Sequence, residues 1–200
     1  YVRRVAVMGI LKVNQISPEH IENNGWRTRL MDMLQDVDAA VVGNVLFVLN
    51  EMMLDQGGML VSPISVMSLL TRIAEFNEWG LIAVLDYVAR YKPTAEDEMF
   101  AIMNLLDPVL RSANSGAVLG TIKCFMNLTS NFPDLQPQVW VRAKPPLLTF
   151  ITGGTPESQY AVLKHLQLIL PHKSAQGVFD DEYRQLFVRY NEPPHVKHLK

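Results

Sequence analysis

Apolar residues recur along this chain with the spacing of a single helix face. A copy of the pattern has two adjacent apolar residues, a third about four residues later and a fourth about eight residues later, which places all four on one side of an α-helix. One copy consists of Val41, Val42, Val45 and Leu49. The copies begin at Val2, Val41, Gly80, Val118, Tyr160 and Val196, the one near Tyr160 being less regular. Because they are 39, 39, 38, 42 and 36 residues apart, they predict a repeated helical unit.

A second set of apolar helical segments lies between these copies. They span residues 25–35, 63–76, 94–110, 138–151 and 180–190. Each repeat therefore consists of a helix A from this second set, a short turn, and a helix B from the first set. The period is close to that of HEAT and armadillo repeats, at about 40–47 residues. The sequence thus predicts an all-α, HEAT/armadillo-like α-α superhelix, a solenoid. We expect residues 1–200 to form one segment of about five repeats, without an interdomain linker.

Helix boundaries carry the residues that helices require. Ser62 before Pro63 predicts a helix start, and the segment Thr94–Asp97 approximates a capping box. Gly57 and Gly58 predict a helix end. We expect tight A-to-B turns at residues 36–38 and 112–115. Pro145 and Pro146 should bend or break their helix, because two backbone donors are missing.

Composition narrows the classes of function. Apolar residues make up 48% of the chain and charged residues 19%, which is typical of a folded protein. The formal net charge of −2 argues against nucleic acid as the main partner. We find no signal peptide and no apolar run long enough to span a bilayer. Cys124, the one cysteine, excludes an intramolecular disulfide and fits a reducing compartment.

Few residues suggest chemistry, and each has a simpler structural explanation. His195 and His198 are spaced for a shared metal on a helix, but no third ligand accompanies them except Glu192, so we interpret them as surface residues. His165 and His172 lie seven apart, with Pro171 between them, and we expect them to be packed or solvated. Cys124 could pair with a histidine as a nucleophile. Its apolar surroundings instead favour a core thiol.

Three further patterns are also explained without a ligand. The segment 153–155 is too short for a phosphate-binding loop and is better explained as an A-to-B turn. Residues 127–129 match the N-glycosylation triplet, but inside an apolar helical pattern. Most of the 10 methionines fall at core spacing. The sequence therefore predicts no catalytic, cofactor-binding or metal-binding residue, no cofactor, and no enzyme activity.

Several segments go beyond a generic helical repeat. Tyr1-Val2-Arg3-Arg4-Val5-Ala6 resembles a helix of the β-adaptin trunk, and Glu78-Trp79-Gly80 resembles the start of another. The remaining matches, in order, are residues 90–93, 113–118, 144–148, 156–161 and 187–193. Residues 98–107 and 141–145 are most similar to the β subunit of the fourth adaptor-protein complex, whereas 15–24 and 173–179 depart from the family's pattern.

The resemblance implies a non-enzymatic scaffold subunit of a heterotetrameric adaptor complex in vesicle-mediated protein transport. Its expected partners are the second large subunit and the medium and small subunits. Membrane association would be peripheral, on the cytosolic face of the trans-Golgi network or endosomes. Arf-family GTPases recruit such complexes, but the family's contact helices lie mostly before Tyr1, so no contact residue is assigned. The resemblance also implies that the chain is a segment of a longer trunk.

Two alternatives remain at this point. The first is another helical-repeat scaffold, such as a coatomer subunit or a nuclear transport receptor; the segments at Trp79-Gly80 and at 187–193 argue against it. The second is an enzyme with a cryptic site, which predicts convergent polar side chains in a deep pocket.

Overall fold

The structure, a computed structural model, describes residues 1–171 and 175–200. These residues form helices and turns, with no strand among them. Two compact units divide the chain, Tyr1–Tyr91 and Lys92–Lys200. The all-α, HEAT-type helical-repeat fold predicted from the sequence is therefore confirmed.

The first unit contains six α-helices. Their bounds are α1 Val2–Ile16, α2 Pro18–Asn23, α3 Trp26–Asp32, α4 Ala39–Met52, α5 Pro63–Thr71 and α6 Glu78–Val88. Short 3-10 turns extend α3 through Gln35 and follow α5 at Ile73–Glu75. The B helices α1, α4 and α6 pack side by side, while the A helices α3 and α5 pack on α4 and α6, respectively. The predicted A–turn–B order is thus present.

Helix α4 forms the centre of the first unit. Val41, Val42, Val45 and Leu49, the residues of the repeated pattern, are all buried. Their burial against neighbouring helices contributes apolar contact that holds the two layers together. In α1 the pattern fits less well, because Val2 and Ala6 are exposed and the buried residue is Val7.

Two glycines bring α4 and α6 into backbone contact. A Cβ atom added to Gly43 would lie 2.8 Å from the Cα atom of Gly80. No real Cβ contact is that short, so a side chain at Gly43 would force the helices apart. Gly80, part of the Trp-Gly motif, therefore serves close helix packing rather than a turn.

The second unit contains the remaining helices. Their bounds are α7 Glu96–Leu106, α8 Ser115–Leu128, α9 Gln136–Gly153, α10 Pro156–Ile169 and α11 Pro194–Leu199. The B helices α8, α10 and α11 form one layer, in which α10 contacts both of the others. The A helices α7 and α9 pack on α8, and α9 also packs on α10. Trp140 and Phe125 are the largest fully buried side chains of this unit.

Most predicted helix boundaries are confirmed. The Ser62 hydroxyl accepts from the backbone N–H of Ser65, at 3.2 Å, and Pro63 is the first residue of α5. Gly57 and Gly58 have φ values of 85° and 87°, the left-handed region in which a side chain would be strained. In both predicted A-to-B turns an Asx residue caps the next helix: Asp38 for α4 and Asn114 for α8.

Three local predictions are wrong. The expected capping box at Thr94 does not form, because Ala95 is the residue in extended conformation that precedes α7, and it offers no side-chain cap. Of the bend or break predicted at Pro145 and Pro146, the break is absent, because α9 continues from Gln136 to Gly153. Segment 180–190 is not an α-helix; a 3-10 helix at Asp180–Leu186 is followed by an extended segment.

Candidate protein-interaction surfaces

The described cysteine and histidines considered for chemistry lie on three different helices. Cys124 is buried in α8, as predicted. His195, on α11, has its ring edge-on to Tyr160 with 5.8 Å between ring centroids, and His198 lies on the same short helix. Within residues 1–171 and 175–200, no three His, Cys, Asp or Glu side chains form a group that could hold a metal ion. His172 lies outside the described residues.

The remaining motifs have structural roles. Thr155 caps α10 by accepting from the N–H of Ser158, at 3.4 Å, so segment 153–155 is the predicted A-to-B turn. In the glycosylation triplet, Thr129 is fully buried and its hydroxyl donates to the carbonyl oxygen of Phe125, at 2.8 Å. His165 Nδ1 lies 2.9 Å from the carbonyl oxygen of Ala161 on its own helix.

The turn at residues 36–38 is held from two sides. From α1, Arg3 Nε lies 2.8 Å from Asp36 Oδ2, and Arg4 makes a two-pronged contact with Asp38 at 2.8 and 2.9 Å. From the end of α5, Arg72 donates to the carbonyl oxygens of Asp36 and Val37 at 2.9 and 2.7 Å. The Arg-Arg pair of the first motif therefore joins one repeat to the next.

Both aspartates of this turn are stabilised in the charged form. The backbone N–H of Asp38 donates to Asp36 at 2.8 Å and, with Arg3, lowers the pKa of Asp36 below its ordinary value. The Arg4 guanidinium, assisted by the N–H of Ala40, lowers the pKa of Asp38. Hydrogen bonds to the ionised carboxylates outweigh partial desolvation at each group.

A surface groove runs between the B helices of the first unit. This α4–α6 groove has a volume of about 520 Å³. Its lining includes Asn44, Phe47, Glu51, Trp79, Ile82 and Asp86. Phe47 and Trp79 lie on its rim with 44% and 83% of their surfaces exposed. One groove lined by an exposed Trp and an exposed Phe is an unusual concentration of uncovered aromatic surface.

The second unit has a smaller groove between its own B helices. This α8–α10 groove has a volume of about 380 Å³. Its lining includes Lys123, Met126, Gln136, Trp140, His165 and Leu168. Trp140 is fully buried beneath it, and Leu168 is the large exposed apolar residue at its edge.

Sequence reasoning missed the α4–α6 groove, although a signal was present. Phe47 is absent from the repeated pattern of α4, and Trp79 precedes that of α6 at Gly80. Aromatic residues outside a helix's core face are the ones that can remain exposed. Trp79 was recognised only as part of a family motif, and the sequence pattern did not predict its exposure.

Comparison with known proteins agrees with the helical-repeat architecture. Residues 1–127 match the family described as Cnd1, non-SMC mitotic condensation complex subunit 1. That match covers more than half of the chain and places it in this class of HEAT-like helical-repeat proteins.

Along its whole length the chain is similar to adaptor subunits. It is 38% identical to "Beta-adaptin-like protein A" of Arabidopsis thaliana, covering 100% of this chain and 25% of that protein. It is 36% identical to "AP-4 complex subunit beta-1" of Mus musculus, covering 98% of this chain and 26% of that protein. Human "AP-1 complex subunit beta-1" is 32% identical, with coverages of 98% and 21%.

These relatives over essentially the whole chain are members of the β-adaptin family, as the chain's motifs indicated. The chain spans about a quarter of the length of the curated relatives it matches. The motifs at Tyr1–Ala6 and Glu78–Gly80 now have structural explanations in the 36–38 turn and the glycine contact. In the described part of the chain, no helix is both long and apolar enough to cross a bilayer.

Proposed function

We propose that this chain is a non-enzymatic scaffold segment of the β subunit of a heterotetrameric adaptor complex in vesicle-mediated intracellular protein transport. The observation that carries the proposal is similarity to β-adaptins over essentially the whole chain, joined to a helical-repeat fold. The condensation role in the name of the matched family is not carried over, because the relatives that match essentially the whole of this chain are named as adaptins or adaptor-complex subunits.

The proposed partners are the second large subunit and the medium and small subunits of such a complex. Stacked B helices suit this role, because they offer rows of side chains from successive repeats to a partner surface. Among adaptor complexes, we propose the fourth, on the residues at 98–107 and 141–145 and the 36% identity with a mouse AP-4 β subunit. Identity with AP-1 β subunits at 32% keeps that complex as the competitor in the test.

Membrane association is proposed to be peripheral and indirect. The complex, recruited by an Arf-family GTPase, would bind the cytosolic face of the trans-Golgi network or endosomes and select cargo there. We propose that the GTPase contacts lie mostly outside residues 1–200, so none of the surfaces described above is assigned to it.

The decisive experiment is co-expression of the complete natural chain with the other three subunits of each candidate adaptor complex. We expect it to co-purify in equal amounts with the medium subunit of the fourth complex. A chain that co-purifies with no medium subunit would overturn the scaffold proposal. Co-purification with the first complex alone would overturn only the choice of complex. Recruitment to Golgi-derived membranes by GTP-bound rather than GDP-bound Arf then tests the proposed localisation.

A further inference from the structure

The α4–α6 groove combines features that a packed helical core does not need. Trp79 stands at the first turn of α6 with 83% of its surface exposed, and Phe47, on α4, lines the same groove. Removing Trp79 would uncover almost nothing in the interior. Tryptophan is the residue most often found at the energetic centre of protein interfaces, because its large rigid ring buries much area at little entropic cost.

Small residues leave room beneath these rings. Gly43, Gly80 and Ala83 line the groove at the point where α4 and α6 touch. Packed helices lie about 8–10 Å apart, whereas a whole helix with side chains is about 10–12 Å wide. The groove therefore admits the side chains of a bound segment, but not the body of a helix. Its volume of about 520 Å³ lies within the usual range of ligand sites, about 300–1,000 Å³.

The side-chain amide of Asn50 can form hydrogen bonds with a peptide backbone. The Asn77 side chain caps α6 by accepting from the N–H of Gly80, and the Asn44 side chain donates to the carbonyl oxygen of Arg4. Asn50 also lines the groove, and its side chain makes no hydrogen bond to any described residue. A side-chain amide can donate and accept at once, which matches the C=O and N–H groups of an extended peptide.

The charged residues of the groove indicate which charge a bound segment should carry. Glu51 and Asp86 contribute two carboxylates, and Arg90 contributes one guanidinium. That guanidinium lies over the Tyr87 ring, 5.8 Å from its centroid, and against Gly58. The Glu51 carboxylate is exposed and forms no ion pair with a described residue, so the side of the groove beside it is negatively charged. A basic residue would complement it, and an anionic lipid surface would be repelled.

We propose that the α4–α6 groove binds a short extended peptide segment of another protein, in which a lysine or arginine lies next to apolar residues. An apolar side chain enters between Trp79 and Phe47, and the basic residue meets the Glu51 carboxylate. The Asn50 amide bonds the peptide backbone. This inference goes beyond the scaffold role, since it does not depend on which adaptor complex contains the chain.

The test uses the complete natural chain and two fluorescein-labelled nine-residue peptides in fluorescence anisotropy. One peptide carries Leu-Arg-Leu in a glycine–serine background, and the other carries Leu-Glu-Leu in the same background. We expect the arginine peptide to bind at least tenfold more tightly. Trp79→Ala should weaken its binding about tenfold. Glu51→Arg should reverse the preference, so that the glutamate peptide binds more tightly.

Controls separate this surface from its surroundings. Leu168→Ala removes the exposed apolar residue of the α8–α10 groove and should leave both affinities unchanged. Trp79 and Glu51 are exposed, so both variants should keep the wild-type thermal midpoint. Equal binding of the two peptides, or no effect of Trp79→Ala, would overturn the proposal. So would Trp79-dependent binding to phosphatidylserine vesicles, or Trp79-dependent self-association in sedimentation, in the absence of peptide discrimination.

Discussion

The two grooves between B helices differ in what they expose. In the first unit, the α4–α6 groove presents Trp79 on its rim and has Glu51 and Asp86 in its lining. In the second unit, the α8–α10 groove has its tryptophan, Trp140, fully buried and carries Lys123 and His165. The same arrangement of helices therefore presents different side chains in the two grooves. Core positions determine that two helices pack, and neighbouring off-core positions determine what the packed pair can bind.

The two tryptophans provide the largest contrast. Trp140→Ala should lower the free energy of unfolding of the second unit by about 3–5 kcal/mol, because a fully buried ring leaves a cavity. Trp79→Ala should change stability by less than about 0.5 kcal/mol, because its ring is largely in solvent. Urea unfolding followed by circular dichroism measures both. Similar losses for the two variants would show that the contrast between the tryptophans is mistaken.

The glycine contact of the first unit should be nearly as sensitive. Gly43→Ala should reduce the free energy of unfolding by about 1–3 kcal/mol, since its new methyl group meets the Gly80 backbone. Gly9→Ala is the matched control, because Gly9 lies within α1 with no atom near its missing Cβ. That control should be neutral or stabilising by up to about 1 kcal/mol. A Gly43→Ala protein as stable as the Gly9→Ala protein would contradict the close approach.

Arginine contacts between repeats should differ in strength between the units. Arg72→Ala removes two hydrogen bonds to carbonyl oxygens of the 36–38 turn and should destabilise the first unit by about 1–2 kcal/mol. Arg142→Ala removes one long, exposed contact of 3.4 Å to Asp107 and should change stability by less than about 0.5 kcal/mol. Thermal unfolding of both variants measures the difference. Equal effects would mean that the backbone contacts of Arg72 add nothing.

Acid pH should lower the stability of both units, and this should be the smallest of the predicted effects on stability. Asp36 and Asp38 have lowered pKa values in the folded state, so the unfolded chain binds more protons as pH falls. Their contribution to stability is full above the ordinary Asp pKa, about 4, and is lost as pH falls through the lower folded values. In the second unit, burial raises the pKa of Glu192, but the N–H of Arg189 and the Lys200 ammonium together lower it, with the same sign of effect.

Hydrogen exchange between pH 5 and pH 3 resolves the two units. The double variant Asp36→Asn, Asp38→Asn should flatten the acid response of the first unit and leave that of the second unit unchanged. An unaltered acid response in the first unit would show that these aspartates do not cause its loss of stability at low pH.

The sequence could predict the buried helix faces, the helix caps and the repeat period. The burial of Val41, Val42, Val45 and Leu49 follows from helical spacing alone, and Asp38 and Asn114 cap helices where turn chemistry requires it. Such features depend on residues close in sequence. The repeat period adds the order of the A and B helices without any knowledge of tertiary contacts.

Local rules failed where tertiary packing overrides them. The A helix α9 stays continuous through Pro145 and Pro146, because Val139, Trp140, Leu147 and Ile151 on either side are buried. The 3-10 helix at Asp180–Leu186 packs on α9, and Lys144 of α9 pairs with Glu182 at 2.6 Å. Neither outcome is encoded in a short window. The α4–α6 groove was missed for a related reason, since exposure of Trp79 depends on what its neighbours leave uncovered.

The backbone contact between Gly43 and Gly80 fixes the point about which α4 and α6 can rotate relative to each other. Because α4 and α6 already touch there, they cannot be compressed further at that point, and their easiest relative motion is a scissoring about it. A small rotation about this contact produces displacements that grow with distance along each helix. Trp79 is the neighbour of Gly80 and Phe47 lies one helical turn from Gly43, so both groove residues stay close to the pivot. The groove should therefore keep its width while the far ends of the two helices move.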